Sequence, residues 1–438
     1  MTGQASARTP RLDPAPPRGM RDILPEEVAL RDWAMAQILA VYRRHGFVRI
    51  ETPAVESLRL LLRSEGGENE KLIFKILKRG EKLASAQSAE DLADLGLRYD
   101  LTVPLARYYA HNQARLPQPL KAIQIGPVWR AERPQHGRYR QFTQCDIDIL
   151  GVDSDVAEIE LILATTEALT ALGLADLTVR FSDRRVLAAV VNHCGFEDDR
   201  LGSVVIAVDK LDKVGPQGVA EELGQSGHPA HAIDALLRLL QEGGPAWKPD
   251  ELARILGPRA DEAVWKALNR ILATIEEQVA GRLLVLFDPT LARGMGYYTG
   301  PIFEIRHGSS ASSIAGGGRY DRMIGKFIGR EVPATGFSIG FERAIGILME
   351  REVGRSNTDL FVALVFDETT TMLGRVLSIA RALRDEGNTV LLEARGKRLG
   401  PQLHSLEARG FGKIGLVGDD GAIEWRGPRS TDAGEARP

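Results

Sequence analysis

Apolar residues recur at helical spacing near the start of the chain. The segment from Glu26 to His45 has acidic residues in its first turn, basic residues in its last turn and Gly46 directly after it, which together predict a helix. A short run from Phe47 to Thr52 then predicts a strand that ends at Pro53. The helix would bury an apolar face made of Val28, Met35, Ile38, Leu39 and Tyr42.

Two apolar runs farther along predict the strands of a β-hairpin. They cover Ile123–Trp129 and Phe142–Leu150 and flank a loop rich in charged residues. Polar residues two positions apart share one face of a strand. On this hairpin the polar positions are Arg130, Glu132, Gln144, Asp146 and Asp148. They predict a ligand-binding face, although a solvent-exposed edge hairpin would have the same alternation.

The remaining pattern predicts two further kinds of structure. After a periodic helix from Ser154 to Leu172, the chain between residues 181 and 281 is mainly helical in pattern and has no convergent set of polar residues. From residue 358 strands and helices alternate, which predicts a small α/β domain with parallel strands. Its strands would be Leu360–Phe366, Thr389–Leu392 and Lys413–Val417, and the segment after Gly418 is expected to lack regular structure.

The composition is that of an ordinary globular protein. The 438 residues are 44% hydrophobic and 26% charged, which suits two or three domains. A net charge of -3 gives no overall signature of a nucleic-acid binder, although a local basic patch can still hold an RNA. Two cysteines are too few for a metal cluster and suit a reducing cytoplasm. We expect no membrane span and a disordered tail over residues 1–17.

Two other segments carry candidate chemistry. Asp100 and Thr102 would lie on the same side of an extended segment and attract an ammonium group, while a helix N-cap at Thr102 is an equally good interpretation. Arg293 precedes Tyr297 and Tyr298 in a segment with three glycines, where backbone can approach a ligand closely. The sequence has no Walker or dinucleotide-binding motif, so arginines would have to bind phosphate.

Several segments, in the same order, resemble one known family. The segments GPVWRAE and GFSIGFER resemble motifs 2 and 3 of the class II aminoacyl-tRNA synthetases, and LRYDLTVP, ERPQHGRYRQF, ARGMGYYT and GGRYD resemble those of the histidyl-tRNA synthetases. The resemblance spans residues 18–418 and implies an α+β fold. A class II antiparallel sheet flanked by helices would occupy residues 18–180 and 282–354, a mainly helical insertion residues 181–281, and an α/β domain of the anticodon-binding type residues 358–438.

This resemblance implies that ATP, with Mg²⁺, activates L-histidine before transfer to tRNA(His). By resemblance, Arg130 would bind the α-phosphate, Arg138 the distal phosphates and Glu132 the adenine amino group. Arg343 would lie along the other side of ATP. Arg293 would act beside the α-phosphate and the substrate carboxylate, where related enzymes use a metal, so that Arg130 and Arg293 are the implied catalytic residues and no metal-ligating residue is implied.

The resemblance also assigns the histidine pocket. The imidazole would lie between Asp148 and Tyr298, with Tyr297 beside it. Such a pair selects histidine because both ring nitrogens need a donor or an acceptor. The ammonium group would be bound by Asp100, Thr102 and Gln144.

The resemblance also implies partners for the protein, and the sequence departs from the family pattern at two places. Gln135 would meet the extra 5′ guanosine of the tRNA, and the family implies a cytoplasmic homodimer. Gly296 stands where the family usually has Asp, and the C-terminal domain is short for an anticodon reader. Two alternatives stay open: a histidine-sensing regulatory subunit of ATP phosphoribosyltransferase, and a tRNA-independent enzyme that activates histidine.

Overall fold

The chain folds into two compact units, Met1–Val353 and Gly354–Pro438. This architecture comes from a computed structural model, which describes residues 12–63, 68–88, 90–133, 139–243, 247–259, 261–292, 297–308, 313–351, 361–369 and 372–427. The first unit combines a large sheet with flanking helices and the second is a small α/β unit, so the predicted α+β fold is confirmed.

The first unit is organised around an eight-stranded sheet. Its strand order is β1-β5-β6-β11-β10-β9-β7-β8. The β1–β5 and β7–β8 pairs are parallel and the others are antiparallel. A separate sheet has the order β2-β4-β3. The strands are β1 (Val48–Arg49), β2 (Val55–Ser57), β3 (Lys75–Leu77), β4 (Ala93–Leu97), β5 (Leu120–Trp129), β6 (Gln141–Leu150), β7 (Leu177–Asp183), β8 (Leu284–Phe287), β9 (Pro301–His307), β10 (Ala315–Arg319) and β11 (Ala334–Gly340).

Helices flank this sheet and form most of the region between β7 and β8. Among the described residues the helices of the first unit are α1 (Pro25–Arg44), α2 (Leu58–Arg63), α3 (Glu81–Ala84), α4 (Thr102–Asn112), α5 (Val156–Ala171), α6 (Arg184–His193), α7 (Leu201–Val208), α8 (Leu211–Gln225), α9 (Ala230–Gly243), α10 (Pro249–Leu256), α11 (Glu262–Val279), α12 (Arg322–Ile328) and α13 (Phe341–Glu350). Apolar side chains of α6–α11 join those of α1, α5 and the sheet in one continuous core.

The buried face of α1 contains or contacts four of the five predicted residues, and Val28 is the exception. It follows Leu30, Ala34, Ile38 and Val41, whereas Val28 is 40% exposed. Residues two positions apart point about 200° apart on an α-helix, so burial of Leu30 turns Val28 towards solvent. The same helix carries Arg31 to the edge of the cavity described below.

The hairpin β5–β6 is the element that builds the site. Ten consecutive residues pair between its strands, and alternation sends Cys145 and Ile147 into the core. The opposite face of β6 carries Gln144, Asp146 and Asp148, which pair in register with Gly340, Ser338 and Gly336 of β11. The predicted polar face is therefore a central sheet surface, because β11 covers what would otherwise be an edge.

The second unit has three parallel strands, as predicted, and one strand that the sequence pattern did not predict. Its sheet order is β13-β12-β14-β15, and β15 runs antiparallel to β14. A tight turn closes this last pair, with Gly421 at φ 77° and the Gly418 N–H donating to Ala422 O at 2.8 Å. The elements are β12 (Phe361–Phe366), α14 (Leu373–Asp385), β13 (Thr389–Ala394), α15 (Leu399–Ala408), β14 (Lys413–Val417) and β15 (Ile423–Arg426).

Candidate active site

A cavity of about 620 Å³ lies over the polar face of β6 and β11. Its wall includes Arg130, Glu132 and Phe142 from the hairpin and Arg343 from the start of α13. The strand β10 contributes three consecutive glycines, so this part of the cavity wall is backbone without side chains. A Cβ atom at Gly317 would lie 2.0 Å from the Gly336 carbonyl oxygen, so the close approach of β10 to β11 requires glycine.

The cationic end of the cavity is formed by Arg130 and Arg343. Arg130 Nε donates to the Tyr99 carbonyl at 3.0 Å, and its guanidinium lies 5.1 Å from the centre of the Phe142 ring. Arg343 donates to the carbonyl of Ser313. Two guanidinium groups on one cavity suit a polyanionic ligand such as a nucleoside triphosphate, and the Phe142 ring offers a face for a flat base.

Glu342 completes this end and is tied to helix α1. Its carboxylate accepts from Arg31 Nη1 at 2.6 Å, Arg31 Nη2 at 2.9 Å and the Thr143 backbone N–H at 3.0 Å. Burial disfavours the charged form, but these hydrogen bonds outweigh it and lower the pKa of Glu342. Arg31 was not singled out in the sequence, because the helical pattern around it does not indicate a partner 311 positions away.

The opposite end of the cavity is rich in carboxylates, and Asp148 is its best-defined member. Tyr320 donates its hydroxyl to Asp148 Oδ1 at 2.6 Å, while Oδ2 is buried without a hydrogen-bond partner among the described residues. Burial raises the pKa of Asp148 to about 7, although the bond from Tyr320 opposes this shift. Tyr320 lies in the GGRYD segment, which was recognised in the sequence without a role for the tyrosine.

Gln144 and Asp146 lie on the same strand face as Asp148 and line the cavity. Gln144 Nε2 donates to Ser338 Oγ at 3.5 Å, and its Oε1 has no partner among the described residues. A buried amide oxygen of this kind is available to a donor on a ligand.

The Asp100 segment differs from the predicted extended conformation. Thr102 is the first residue of α4, and Asp100 Oδ1 accepts from the Val103 backbone N–H at 3.1 Å. Asp100 thus caps the helix in place of Thr102, and only Thr102 of the two lines the cavity. Burial raises the pKa of Asp100 to about 6, and its Oδ2 is buried without a partner among the described residues. The charge of Asp100 also interacts with that of Arg130.

Both tyrosines of the pair Tyr297 and Tyr298 line the cavity. An extended backbone would send them to opposite sides, but their ring centres lie only 4.7 Å apart in an edge-to-face arrangement. Tyr297 also lies 6.1 Å from the ring of Tyr320. These rings wall the carboxylate end of the cavity, which suits a flat polar group such as an imidazole.

Four positions singled out in the sequence lie outside the described residues, namely Gln135, Arg138, Arg293 and Gly296. Eight residues of the predicted set line the cavity, namely Arg130, Glu132, Arg343, Thr102, Gln144, Asp148, Tyr297 and Tyr298. They come from separate parts of the chain and meet because β6 and β11 are neighbours.

The fold and the cavity define the class of protein. A mainly antiparallel sheet that carries one arginine on the hairpin β5–β6 and another at the start of α13, directly after β11, is the catalytic domain of a class II aminoacyl-tRNA synthetase. Residues 19–344 match the family model for histidyl-tRNA synthetase. The chain belongs to the histidyl-tRNA synthetase family.

Relatives and solved structures agree with this assignment. The chain is 47% identical over 92% of its length to histidine–tRNA ligase of Leifsonia xyli subsp. xyli (strain CTCB07), covering 95% of that protein. It is 33% identical to histidine–tRNA ligase of Cytophaga hutchinsonii, covering 93% of each chain. The crystal structure of histidyl-tRNA synthetase from Nostoc sp. PCC 7120 superposes with a TM-score of 0.76 at 25% identity, covering 95% of this chain and 97% of that one.

One similar structure bears on the regulatory alternative. A protein of Bacillus halodurans described as an ATP phosphoribosyltransferase regulatory subunit/histidyl-tRNA synthetase has a TM-score of 0.74 at 22% identity, covering 90% of this chain and 97% of that one. At this identity the similarity concerns the fold alone. This similarity therefore does not favour the regulatory alternative over the histidine–tRNA ligases, which are similar to the chain at 47% and 33% identity.

Proposed function

We propose that this chain activates L-histidine with ATP and transfers the histidyl group to the 3′ end of tRNA(His). The observation that carries the proposal is the presence, in one cavity, of two guanidinium groups at one end and a tyrosine-bound carboxylate at the other. A histidine sensor needs only the carboxylate end. An enzyme also needs the cations that stabilise a pentacoordinate phosphate.

In the first half-reaction, a carboxylate oxygen of histidine forms a bond to the α-phosphorus of ATP. The bond from that phosphorus to the bridging oxygen breaks, and pyrophosphate leaves with the electron pair. Arg130 and Arg293 stabilise the charge that grows on the α-phosphate oxygens, and Arg343 lies along the nucleotide. Glu132 accepts from the adenine amino group, and Arg138 contacts the distal phosphates.

In the second half-reaction, a ribose hydroxyl at the tRNA 3′ end attacks the carbonyl carbon of the adenylate. The bond from that carbon to the phosphate oxygen breaks and AMP leaves. Gln135 is proposed to meet the extra 5′ guanosine. The region around residues 358–438 is proposed to read the anticodon, with residues 181–281 as an insertion between the two parts of the core, 18–180 and 282–354.

The histidine side chain is proposed to bind between Asp148 and Tyr298, with Tyr297 beside it. The ammonium group is assigned to a set made of Asp100, Thr102 and Gln144. An analogue that lacks either ring nitrogen would leave a buried polar group without a partner, which costs binding free energy.

Mg²⁺ fits this cavity as a companion of ATP, since it usually binds through substrate phosphates and only one or two carboxylates. The described residues contain no group of three His, Cys, Asp or Glu side chains that would form a dedicated metal site. When bound, Mg²⁺ would neutralise charge on the phosphates.

We further propose a homodimer that acts in the cytoplasm. Among the described residues no helix is long and apolar enough to cross a membrane.

Two assays test the proposed function. Histidine-dependent exchange of labelled pyrophosphate into ATP tests activation, and charging of tRNA(His) tests transfer. Without exchange both enzyme hypotheses fail and the regulatory subunit is favoured. Exchange without charging would favour the tRNA-independent enzyme.

A further inference from the structure

The carboxylate of Asp146 lines the cavity and has no role in the assignments above. Asp146 lies on β6 between Gln144 and Asp148, on the same face, and is 4% exposed. On the cavity wall it lies opposite Ser338 of β11. A buried carboxylate in this place requires a partner of opposite charge or good hydrogen bonds.

The hydrogen bonds within the protein satisfy only part of this side chain. The Ser338 hydroxyl donates to the Asp146 carboxylate, and Gln144 Nε2 in turn donates to Ser338 Oγ at 3.5 Å. Oδ1 of Asp146 is buried and has no hydrogen-bond partner among the described residues.

The residue opposite on β5 offers no donor to this oxygen. Gln124 pairs in register with Asp146, but its Nε2 donates to the Leu101 carbonyl at 3.0 Å. Its Oε1 accepts from the Thr52 hydroxyl at 3.1 Å. The free oxygen of Asp146 is therefore available to a donor in the cavity.

The charges around Asp146 indicate what kind of donor it needs. Burial and the nearby carboxylates of Asp148 and Asp100 raise the pKa of Asp146 well above its usual range, while the hydrogen bond from Ser338 and the charge of Arg130 oppose this shift. Arg130 already donates to the Tyr99 carbonyl, and its charge also acts on Asp100. A cationic donor on the ligand would relieve this excess of negative charge.

We propose that Asp146 is a substrate-binding residue whose Oδ1 accepts a hydrogen bond from the α-ammonium group of histidine. The inference rests on the proposed function and extends it, since the ammonium set assigned from the family does not contain this residue. The imidazole is assigned to Asp148, so the ammonium is the remaining cation of the substrate. A charge-assisted bond of this kind contributes to histidine affinity and leaves ATP binding unaffected.

A double-mutant cycle tests the inference, in which one change is made in the protein and the other in the ligand, and the dissociation constant is measured for each combination. The change Asp146→Asn keeps the shape of the side chain, and 3-(imidazol-4-yl)propionate keeps the ring and carboxylate of histidine but lacks the ammonium group. We expect Asp146→Asn to raise the dissociation constant of histidine about tenfold to a hundredfold. The dissociation constant of the propionate should change by less than about threefold, because its complex contains no ammonium to lose.

Two outcomes would overturn the inference. Equal weakening of both ligands would mean that Asp146 only shapes the pocket, and unchanged histidine affinity would mean that it makes no contact. Ser338→Ala removes the hydroxyl that holds Asp146, so it should weaken the binding of histidine more than that of the propionate, in the same direction as Asp146→Asn. If Asp146→Asn does not fold, Asp146→Ser removes the same carboxylate and is measured with the same two ligands.

The proposed function is tested separately on the unmodified chain. Absence of exchange in the unmodified chain would refute the function. Normal exchange with an Asp146→Asn variant that binds both ligands normally would refute only the role of Asp146.

Discussion

Arg31 and Glu342 are joined by two parallel hydrogen bonds, 2.6 Å from Nη1 to Oε2 and 2.9 Å from Nη2 to Oε1. Arg31 also donates to the Thr143 hydroxyl at 3.0 Å, and its guanidinium lies 4.9 Å from the centre of the Phe341 ring. Helix α1 thus holds the residue directly before Arg343. We therefore expect Arg31 to be a positioning residue for the end of the cavity proposed to bind ATP, although it does not line the cavity itself.

We expect Arg31→Met to raise KM for ATP by about tenfold to a hundredfold, because small misplacements of binding groups cost this much in rate or affinity. KM for histidine should change little, since the histidine end is held by other elements. Pyrophosphate exchange at varied ATP and varied histidine measures both values. Arg44→Met is the control: this residue of α1 is 61% exposed and pairs with the exposed Glu167. Equal rises in both KM values would contradict a role confined to the ATP end.

Tyr320 and Asp148 predict a pH dependence of histidine binding. Burial raises the pKa of Asp148 from an ordinary value of 3.8 to about 7. Between these values the folded protein binds the proton more tightly than the unfolded chain, so this group's contribution to stability falls as the pH rises through the window. A donor on histidine favours the ionised form, so histidine affinity should rise with pH up to about 7.

The change Tyr320→Phe removes a hydrogen bond that lowers the pKa of Asp148. We therefore expect the midpoint of this pH dependence to move to higher pH. Calorimetric titration with histidine in buffers of different ionisation enthalpy, between about pH 5 and about pH 8, measures the affinity and the protons released. Asp148→Asn is the control, because it keeps only the titration of the free ligand. A midpoint that stays in place in Tyr320→Phe would refute the coupling.

Gly336 is required by the side chain next to it. A Cβ atom at this position would lie 2.0 Å from Asp148 Oδ1 and 3.3 Å from the Tyr320 ring. Gly336→Ala should therefore displace Asp148 and weaken histidine binding by about tenfold or more, with a smaller effect on ATP. Gly346→Ala in α13 has nothing within 4 Å of the added atom and should be neutral or stabilising by up to about 1 kcal/mol. Histidine and ATP titrations of both variants would check this, and unchanged histidine affinity in Gly336→Ala would contradict it.

Arg319 forms a buried ion pair that ties β10 to α5. Nε and Nη2 donate to the Glu158 carboxylate at 2.7 Å and 3.0 Å, and Glu158 is fully buried. Arg319→Met would leave that carboxylate unpaired, which costs about 3–5 kcal/mol of unfolding free energy. Arg322→Met, at an exposed pair with Glu331, should cost less than about 1 kcal/mol. Urea unfolding measures both, and the double change Arg319→Met with Glu158→Leu should recover most of the loss.

Arg293 is the catalytic residue assigned from the family resemblance, and it lies outside the described residues. Arg293→Ala should lower the rate of adenylate formation about a hundredfold or more, because an always-charged donor would be lost from the transition state. Histidine affinity should stay close to that of the unmodified chain. Single-turnover adenylation and histidine titration measure the two quantities. Arg282→Ala is the control, because Arg282 is exposed and its guanidinium donates to the backbone carbonyls of Val279 and Gln278. A near-normal adenylation rate in Arg293→Ala would disprove the role.

The local pattern of the chain was sufficient for the helices and strands that bury one face. Alternation along β6 separates Asp146 and Asp148 from the core residues Cys145 and Ile147, and this depends only on the two-residue period of a strand. The parallel strands of the second unit follow from the same kind of pattern. The pattern failed at β15, where a Gly/Asp turn closes a strand of only four residues.

The tertiary structure alone decided which residues complete the site. The contact of Tyr320 with Asp148 and that of Arg31 with Glu342 join residues 172 and 311 positions apart. The first depends on the order of β6, β11 and β10 in the sheet, and the second on the packing of α1 beside α13. The sequence determined which faces of the strands are polar, because alternation is a local property. The tertiary structure decided which side chains contact one another across those faces, because strand order and helix packing depend on contacts across the whole unit.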